Sequence, residues 1–454
     1  MAKVCVCVNI KNPTLNLKMT NPLLEDVFGV SSTQVLSYIE RTSVDGRFRD
    51  YLASDKQIVV YGSSKQGKTS LVSKYLPYDQ NIVVRLTPKT EITDIYSSIL
   101  RQIGIQVQSS SAESAGKEVT TSLGIRLKAI IPFFADGEIE QKNEGKEKSS
   151  LDKTYEEIPF NLALPQDISE LIAKSRSKKA VILENFHYLD DEKQKQLAFD
   201  LRTFQELGIR FVILGVWREK NRLVQYNGDL LDRVAEIPVE PWSKNEFTKV
   251  AFAGQIALNI EISNEVVDDC ITASFSSIGV FQELLKEVCQ LAGIKQCELN
   301  KKMITDRLLV KTAVVKEADD YAARHQRALE AIGSGNVSST GAKDGVTPLF
   351  LPYFLVKVLL ASGYEGLANG MRRAVLHEKI QVMHHRPQDV RASDMSNLLY
   401  NLANLQSNKG ISPPIIDFDK NNKMLQIVDS TFYFFLKHAD LLSISEELPS
   451  PIAE

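Results

Sequence analysis

Short apolar runs, rich in β-branched residues, recur along the first half of the chain and predict five strands, at 57–61, 82–86, 180–183, 210–215 and 235–239. Between these runs, apolar residues spaced three and four apart predict helices at 69–75, 91–103, 167–175 and 190–206. Continuous apolar strands that alternate with helices are typical of a parallel sheet covered by helices. We therefore predict one α/β domain over residues 21–240, with right-handed crossovers.

This alternation is interrupted over residues 106–166, which are rich in Ser, Lys and Glu. From Val119 to Ala129, apolar residues alternate with others at a period of two, and Asp136-Gly137 is a plausible turn. We predict an insertion that carries a β-hairpin. A partner- or ligand-binding insertion and a tolerated surface insertion are equally consistent with this composition.

The second half of the chain predicts two further units. Residues 241–300 have a helical pattern that begins with a capping box at Ser243 and Glu246, and 301–347 predict one long polar helix and a Gly/Ser linker. Over 348–440, helices at 349–361, 367–378 and 393–406 precede strands at 415–418 and 424–428, which together predict a winged helix. We expect an N-terminal extension over 1–20 and an acidic tail over 441–454, unstructured from residue 443.

A phosphate-binding loop follows the first predicted strand. The segment from Gly62 to Thr69 fits G-x-x-x-x-G-K-[ST] at every fixed position. Its glycines let the backbone curl so that successive N–H groups point at phosphate oxygens, and Lys68 adds a full positive charge. Thr69 offers a hydroxyl to Mg²⁺. ATP and Mg²⁺ are the expected cofactors, and the predicted nucleotide-binding residues are Gly62, Ser63, Ser64, Lys65, Gln66, Gly67, Lys68, Thr69 and Ser70.

The third strand ends in an acidic residue, as a P-loop ATPase requires. Glu184 stands where a metal-holding Asp is usual, and Asn185 where the water-activating Glu is usual. Asn185 could orient a water molecule but cannot accept its proton, so slow hydrolysis is one interpretation. In the other, Glu184 is the base and Mg²⁺ is held by Thr69 and the phosphates. For His187, the interpretation as a structural residue is preferred to the alternative of a catalytic base.

Two arginines are candidate catalytic residues beside Glu184 and Asn185. Arg218 follows the fourth strand, where a basic residue can sense the γ-phosphate, and Arg233 precedes the fifth, where it could reach the nucleotide of a neighbouring subunit. An ordinary solvated charge at the end of a helix is an equally good interpretation of each.

Composition removes several classes of protein. The 454 residues carry a net charge of −3 and are 43% hydrophobic, which excludes wholesale disorder and a strongly basic protein coated for nucleic acid. The sequence contains no run of 18 apolar residues, so we expect no membrane span. The first residues form too short an apolar run for a secretory signal, so we expect none. Five scattered cysteines favour a cytoplasmic protein. The absence of an Asn-Lys-x-Asp motif favours ATP over GTP.

With the P-loop, Glu184, Arg218 and Arg233 in this order, the chain resembles AAA+-like and STAND (NACHT-like) P-loop ATPases over about 21–294. The end of the predicted winged helix is similar to that of prokaryotic origin-recognition-type ATPases. The resemblance implies an ATP-dependent switch that forms homo-oligomers and signals to a separate protein effector, in a setting such as bacterial antiviral defence. The chain departs from the family at Asn185 and at Gly279-Val280-Phe281-Gln282, where related lids carry Gly-x-Pro or an arginine.

The predicted winged helix is nearly neutral. Its third helix, 393–406, contains no Lys or Arg, and residues 348–440 hold ten Lys+Arg against eight Asp+Glu. Because phosphate contacts dominate affinity for DNA, a protein partner is favoured over DNA. A DNA-associated ATPase that acts through the winged helix and a nucleotide-binding scaffold with negligible turnover remain the alternatives.

Overall fold

The computed structural model describes residues 21–30, 34–109, 126–132, 155–335 and 347–452. The predicted N-terminal extension, most of the predicted Gly/Ser linker and the Asp136-Gly137 turn lie outside these ranges. Within them, no helix is both long enough and apolar enough to cross a membrane. The side chains of Cys270, Cys289 and Cys297 are buried in the protein.

The first unit is a parallel sheet with helices on both faces. Its elements alternate along the chain as predicted: α1 Leu24–Val27, α2 Arg47–Leu52, β1 Gln57–Gly62, α3 Lys68–Tyr75, β2 Ile82–Arg85, α4 Ile92–Gln102, then, after an insertion, α5 Pro165–Lys174, β6 Val181–Glu184, α6 Asp191–Glu206, β7 Phe211–Val216 and β8 Val234–Pro238. The strand order is β2-β6-β7-β1-β8, and every pairing is parallel. The five predicted strands are confirmed, each bound lying within one residue of its prediction.

The order of the strands determines where the functional loops lie. Strand β1 is buried along its whole length, with β7 on one side and β8 on the other. Apolar residues cover both faces of the sheet, because α4, α5 and α6 pack on one face and α2 and α3 on the other. Since all strands run in the same direction, the segments that follow β1, β6, β7 and β8 meet at one edge of the sheet.

The insertion carries a small antiparallel sheet. Strand β3 (Gln106–Ser109) pairs with β4 (Arg126–Pro132), and β4 pairs with β5 (Tyr155–Asn161), in the order β3-β4-β5. Strands β4 and β5 pair antiparallel within the segment in which the hairpin is predicted, and the residues of the predicted turn are outside the described ranges. Ala129 and Phe160 are buried against the core of the α/β unit.

The helical lid contains two short strands that the sequence analysis did not predict. Its elements are α7 Lys244–Leu258, β9 Ile260–Ile262, α8 Asn264–Ala273, α9 Ile278–Leu291, β10 Lys302–Ile304 and α10 Leu308–Gly333. Strands β9 and β10 pair in parallel. The prediction of an entirely helical lid and of a helix from residue 301 is therefore wrong at these places. The reason is that Ile260, Ile262 and Ile304 bury their branched side chains in the lid core.

The C-terminal unit has the topology of a winged helix. Its elements are α11 Leu351–Leu367, β11 Met371–Arg372, α12 Arg373–Met383, α13 Ala392–Tyr400, α14 Leu402–Asn408, β12 Ile416–Asp419, β13 Met424–Ile427 and α15 Ser430–His438, with strand order β11-β13-β12. The predicted helix 393–406 is broken at Asn401 into α13 and α14.

The predicted unstructured tail is also corrected. Residues Leu441–Glu447 form helix α16, which packs against α11, and Leu448 is buried in the core of the winged-helix unit. Apolar residues at Leu441, Ile444 and Leu448 recur at helical spacing and bury one face of the segment, so its acidic residues cover only the solvent side.

Candidate nucleotide site

The loop between β1 and α3 has the backbone geometry that its two glycines allow. Gly62 has φ 152° and Gly67 has φ 82°, both in the region that residues with a side chain rarely adopt. A Cβ atom at Gly62 would lie 2.7 Å from Cγ2 of Val239, so the loop can approach the end of β8 only with glycine at this position. The loop therefore curls tightly over the carboxyl edge of the sheet.

Lys68 is the buried cation of this loop. Its ammonium group donates hydrogen bonds to the carbonyl oxygens of Gly62, at 2.9 Å, and Ser63, at 2.5 Å. Burial lowers the pKa of Lys68 to about 8, although the carboxylate of Glu240 acts in the opposite direction. Thr69 and Ser70 follow in the first turn of α3, whose amides have no intrahelical acceptor. The cation and these amides together form a site for phosphate groups.

Glu184 and Thr69 lie next to each other at the carboxyl edge of the sheet. The Thr69 hydroxyl donates to Oε1 of Glu184 at 3.3 Å, and the Tyr78 hydroxyl donates to the same oxygen at 2.7 Å. The guanidinium of Arg85 lies 3.1 Å from the other carboxylate oxygen. A hydroxyl beside a carboxylate is the pair of oxygen ligands that Mg²⁺ takes beside nucleotide phosphates.

The donor set fits a magnesium ion that keeps water and phosphate ligands. Within the described ranges, no group of three or more His, Cys, Asp or Glu side chains is arranged to hold a metal ion. Thr69 and Glu184 would then supply the protein ligands, and ATP would supply the rest. Arg85 and Tyr78 were not predicted as site residues. Arg85 could have been found, because it ends β2 directly opposite Glu184 in the sheet; Tyr78 gave no signal in the sequence.

Asn185 does not join this group of contacts. It is exposed, and its φ of 62° starts a short 3₁₀ turn over Phe186–Tyr188. His187 in that turn accepts a hydrogen bond from the Val216 amide through Nδ1, at 3.3 Å. Burial lowers the pKa of His187 to about 3, so the imidazole is neutral near neutral pH and is a weak base.

The two predicted arginines lie at opposite edges of the sheet. Arg218 follows β7 at the carboxyl edge, donates to the hydroxyl of Tyr433 at 3.2 Å and lies 3.9 Å from Glu240. Arg233 precedes β8 at the amino edge and forms an ion pair with Glu206 at 3.2 Å. The structure therefore brings Arg218 to the rim of the phosphate loop, whereas Arg233 lies far from the nucleotide site of its own chain.

The lid contacts the phosphate loop at Lys65 and Gln66. The amide of Ile278, at the start of α9, donates to the side chain of Gln66 at 3.4 Å. A Cβ atom at Gly279 would lie 2.5 Å from Cβ of Lys65, so this lid glycine permits direct contact with the loop. The ammonium group of Lys65 lies 5.0 Å from the ring centre of Tyr321 in α10. The lid therefore contacts the loop through backbone and side chains, although it carries neither Gly-x-Pro nor an arginine at 279–282.

The winged-helix unit holds the loop from another side. The Ser64 amide donates to the carbonyl of Val428 at 2.8 Å, and the Ser430 hydroxyl donates to the Ser64 carbonyl at 2.7 Å. The Ser64 hydroxyl donates to Oδ1 of Asp429 at 3.0 Å. We call this set of three hydrogen bonds the Ser64 contact. No motif of the sequence analysis predicted that the segment between β13 and α15 would touch the P-loop.

Asp429 is the buried centre of the Ser64 contact. Arg324 of α10 donates to its Oδ2 at 2.6 Å, and Thr431 donates to its Oδ1 through both amide and hydroxyl. Although burial alone would raise the pKa of Asp429, the nearby Arg324 cation and these hydrogen bonds hold it below its usual value. The carboxylate is therefore ionised, and it links the P-loop, the long helix α10 and the winged helix.

The hairpin formed by β12 and β13, which we call the wing, also packs against the α/β unit. Arg222 donates to Asp417 at 2.8 Å, and Lys420 at the tip of the wing pairs with Asp191. Tyr188 bonds to Ser412 across the same boundary. The face formed by the wing and the end of α13 is therefore turned toward the α/β unit.

A parallel sheet of this order, with a phosphate-binding loop after an inner strand and an acidic residue ending a nearby strand, is an α/β fold of the P-loop type. Together with the helical lid and the winged helix, this confirms the predicted fold class.

The solved structures that are similar to the chain include three whose names describe related proteins or their complexes. The Walker-type ATPase PABY2304 of Pyrococcus abyssi is 13% identical, with a TM-score of 0.43, over 88% of this chain and 99% of that one. Cdc6p from Pyrobaculum aerophilum is 12% identical, with a TM-score of 0.36, over 93% and 100%. The Orc1 protein of Aeropyrum pernix, solved in complex with DNA, is 12% identical, with a TM-score of 0.38, over 91% and 98%. No family model and no curated protein matches the sequence.

Proposed function

We propose that the chain is an ATP-binding, slowly hydrolysing switch ATPase in which ATP and the winged-helix unit compete for the phosphate loop. The observation that carries the proposal is the Ser64 contact, because it joins the loop to a unit more than 350 residues away in the sequence. ATP bound at Lys68 would require the loop to serve phosphate groups rather than the winged helix. The nucleotide state would then set the arrangement of the units.

Arg218 supplies a second link between the nucleotide and the winged helix. Its guanidinium lies between Tyr433 of α15 and Glu240 at the end of β8. A γ-phosphate near Lys68 would attract this cation away from the Tyr433 hydroxyl. Loss of the hydrogen bond to Tyr433 would weaken the packing of α15 against the α/β unit. Loss of the Ser64 contact would weaken the same packing.

The arrangement around Glu184 supports slow turnover. Lys68 would stabilise charge on the phosphates, and Mg²⁺ held by Thr69 and Glu184 would supply Lewis-acid chemistry when bound. Asn185 cannot take a proton from water, and it is exposed rather than held against the loop. Glu184 accepts the hydrogen bond of the Thr69 hydroxyl and is the proposed Mg²⁺ ligand rather than the base. A slow ATPase suits a switch, because the ATP-bound arrangement would persist long enough to be read.

A separate protein is the proposed receiver of the signal. Release of the winged helix would expose the face that now packs on Asp191 and Arg222. That face carries both Lys420 and Asp417, and the near neutrality of the unit favours a protein partner over DNA. Assembly into a homo-oligomer, with Arg233 freed from Glu206 to reach a neighbouring nucleotide, is the proposed output arrangement.

Exchange of a single lysine tests nucleotide binding directly. Lys68→Ala is expected to abolish binding of Mg²⁺-ATP measured by calorimetry, because it removes the buried cation of the loop. Lys74→Ala is the matched control: Lys74 ends the same helix but pairs with Glu40 at the surface. Retained ATP binding in Lys68→Ala would refute the assignment of the site. Turnover that rises on addition of duplex DNA, with retention that falls steeply as salt increases, would instead support the DNA-associated alternative.

A further inference from the structure

A carboxylate of the chain itself occupies the phosphate loop. Glu240 follows β8, and its Oε2 accepts a hydrogen bond from the amide of Ser63 at 2.7 Å. The same oxygen would lie 3.2 Å from a Cβ atom at Gly62, so glycine at this position also leaves room for the carboxylate. An amide of the phosphate-binding loop is thereby bonded to an anion that belongs to the chain itself.

The charges around Glu240 are those that attract a phosphate group. The Arg218 guanidinium lies 3.9 Å from Oε2 of Glu240. The negative charge of Glu240 also acts to raise the pKa of buried Lys68. The carboxylate is largely buried, with 16% of the side chain exposed, so solvent screens these interactions only in part. Glu240 therefore interacts with the two cations on which a triphosphate would depend.

We propose that Glu240 is a built-in anion of the phosphate loop that opposes the phosphates of ATP and so sets the nucleotide affinity of the site. The inference rests on the proposed function, and it names a residue that determines the affinity of the same site. Incoming phosphates would meet the negative charge of Glu240, and they would have to draw Lys68 and Arg218 toward themselves. An open pocket of about 360 Å³, lined by Tyr61, Arg218, Glu240 and others, gives the carboxylate space to move aside.

Removal of the charge alone separates repulsion from a structural role. Glu240→Gln keeps an oxygen that can accept the hydrogen bond of the Ser63 amide, but it removes the negative charge. One like charge within several ångströms of a phosphate in a partly buried site corresponds to about a tenfold change in affinity. We therefore expect Glu240→Gln to bind Mg²⁺-ATP about tenfold more tightly than the wild-type chain, measured by calorimetry.

A neighbouring carboxylate provides the control. Glu236 lies on β8, four residues before Glu240, and it also accepts a backbone hydrogen bond, from the amide of Asn221 at 2.9 Å. Glu236→Gln should leave the affinity for ATP unchanged. Glu240→Ala removes both the charge and the acceptor; tighter binding in Glu240→Gln than in Glu240→Ala would show that the hydrogen bond to Ser63 also orders the loop.

The possible outcomes distinguish this inference from the proposed function. If the wild-type chain binds ATP and Glu240→Gln binds it equally or more weakly, the inference is overturned and the proposed function stands. If neither chain binds ATP, both are overturned. Tighter binding in Glu240→Gln, with an unchanged affinity in Glu236→Gln and a midpoint of thermal unfolding close to that of the wild type, supports the inference.

Discussion

Exchange of Asp429 for asparagine should loosen the winged helix and strengthen ATP binding. Asp429 is fully buried and bonds to Ser64 of the loop, to Arg324 and to Thr431. Asparagine keeps one acceptor oxygen for Ser64 or Thr431, but it removes the charge that pairs with Arg324. Loss of a charged hydrogen bond in a buried network costs about 1.5–3 kcal/mol, and the exposed part of Arg324 places the estimate toward the lower end.

The magnitude follows from reciprocity between docking and nucleotide binding. If ATP competes with the Ser64 contact, a loss of about 2 kcal/mol in docking appears as a gain of up to about 30-fold in apparent ATP affinity. The assay is titration of Mg²⁺-ATP into the Asp429→Asn chain by calorimetry, beside the wild type. Because Asp429 also caps α15, the effect of a lost helix cap has to be measured separately.

Asp440 provides that measurement. It caps α16 in the same unit by accepting the Ser443 amide at 3.1 Å. Asp440→Asn should leave ATP affinity unchanged, whereas Asp429→Asn should increase it. Equal affinities in all three chains would refute the coupling of the winged helix to the loop. Weaker binding in Asp429→Asn would refute competition and would mean that docking supports the nucleotide instead.

Three further predictions concern single groups. ATP affinity should weaken as pH rises above about 8. Burial lowers the pKa of Lys68 to about 8 and a bound phosphate would raise it again, so ATP binding takes up a proton. Titrations of ATP between pH 7 and pH 9.5 should show this decline in affinity. Glu184→Gln should lower Mg²⁺-dependent phosphate release while ATP affinity without Mg²⁺ stays unchanged; unaltered turnover would contradict its role and favour a scaffold. Burial raises the pKa of Glu219 to about 7, so its contribution to stability is full below about pH 4.5 and is lost as pH rises through 7. Glu219→Gln should therefore raise the free energy of unfolding at pH 8 by up to about 3 kcal/mol, and by almost nothing at pH 4, in chemical denaturation; an equal effect at both pH values would contradict this.

The sequence predicted those parts of the molecule that depend on local pattern. The strands around the P-loop are continuous apolar runs because both of their faces are covered, and the glycines of the loop mark backbone that other residues rarely adopt. For the same reason Glu184 could be found: an acidic residue directly after a buried strand must lie at the edge of the sheet. Pattern of this kind is present in a few consecutive residues, so no tertiary information is needed.

Short elements whose pairing is distant were missed. Strands β9 and β10 are three residues each and lie about forty residues apart, so neither is long enough to show a period of two. Helix α16 was hidden by its acidic composition, although Leu441, Ile444 and Leu448 have helical spacing. In these cases tertiary burial decided the structure, and local composition favoured another interpretation.

The contacts that carry the functional proposals could not be predicted. Ser64 and Asp429 are 365 residues apart, and nothing in either segment indicates that they would meet. Glu240 looked like one more acidic residue after a strand, and its role depends on the strand order that places β8 beside β1. Sequence pattern identified the phosphate loop, whereas only the fold revealed which groups of the chain contact it.

The most direct test of the central claim is a distance measurement between the α/β unit and the winged helix. Fluorescent labels at exposed positions, such as Phe199 on α6 and Val382 on α12, would report by energy transfer whether ATP separates the two units. We expect the distance between the two labels to be longer with Mg²⁺-ATP than without nucleotide. In Lys68→Ala, we expect ATP to leave this distance unchanged. An unchanged distance in the wild type at saturating ATP, or an equal response in Lys68→Ala, would contradict the central claim.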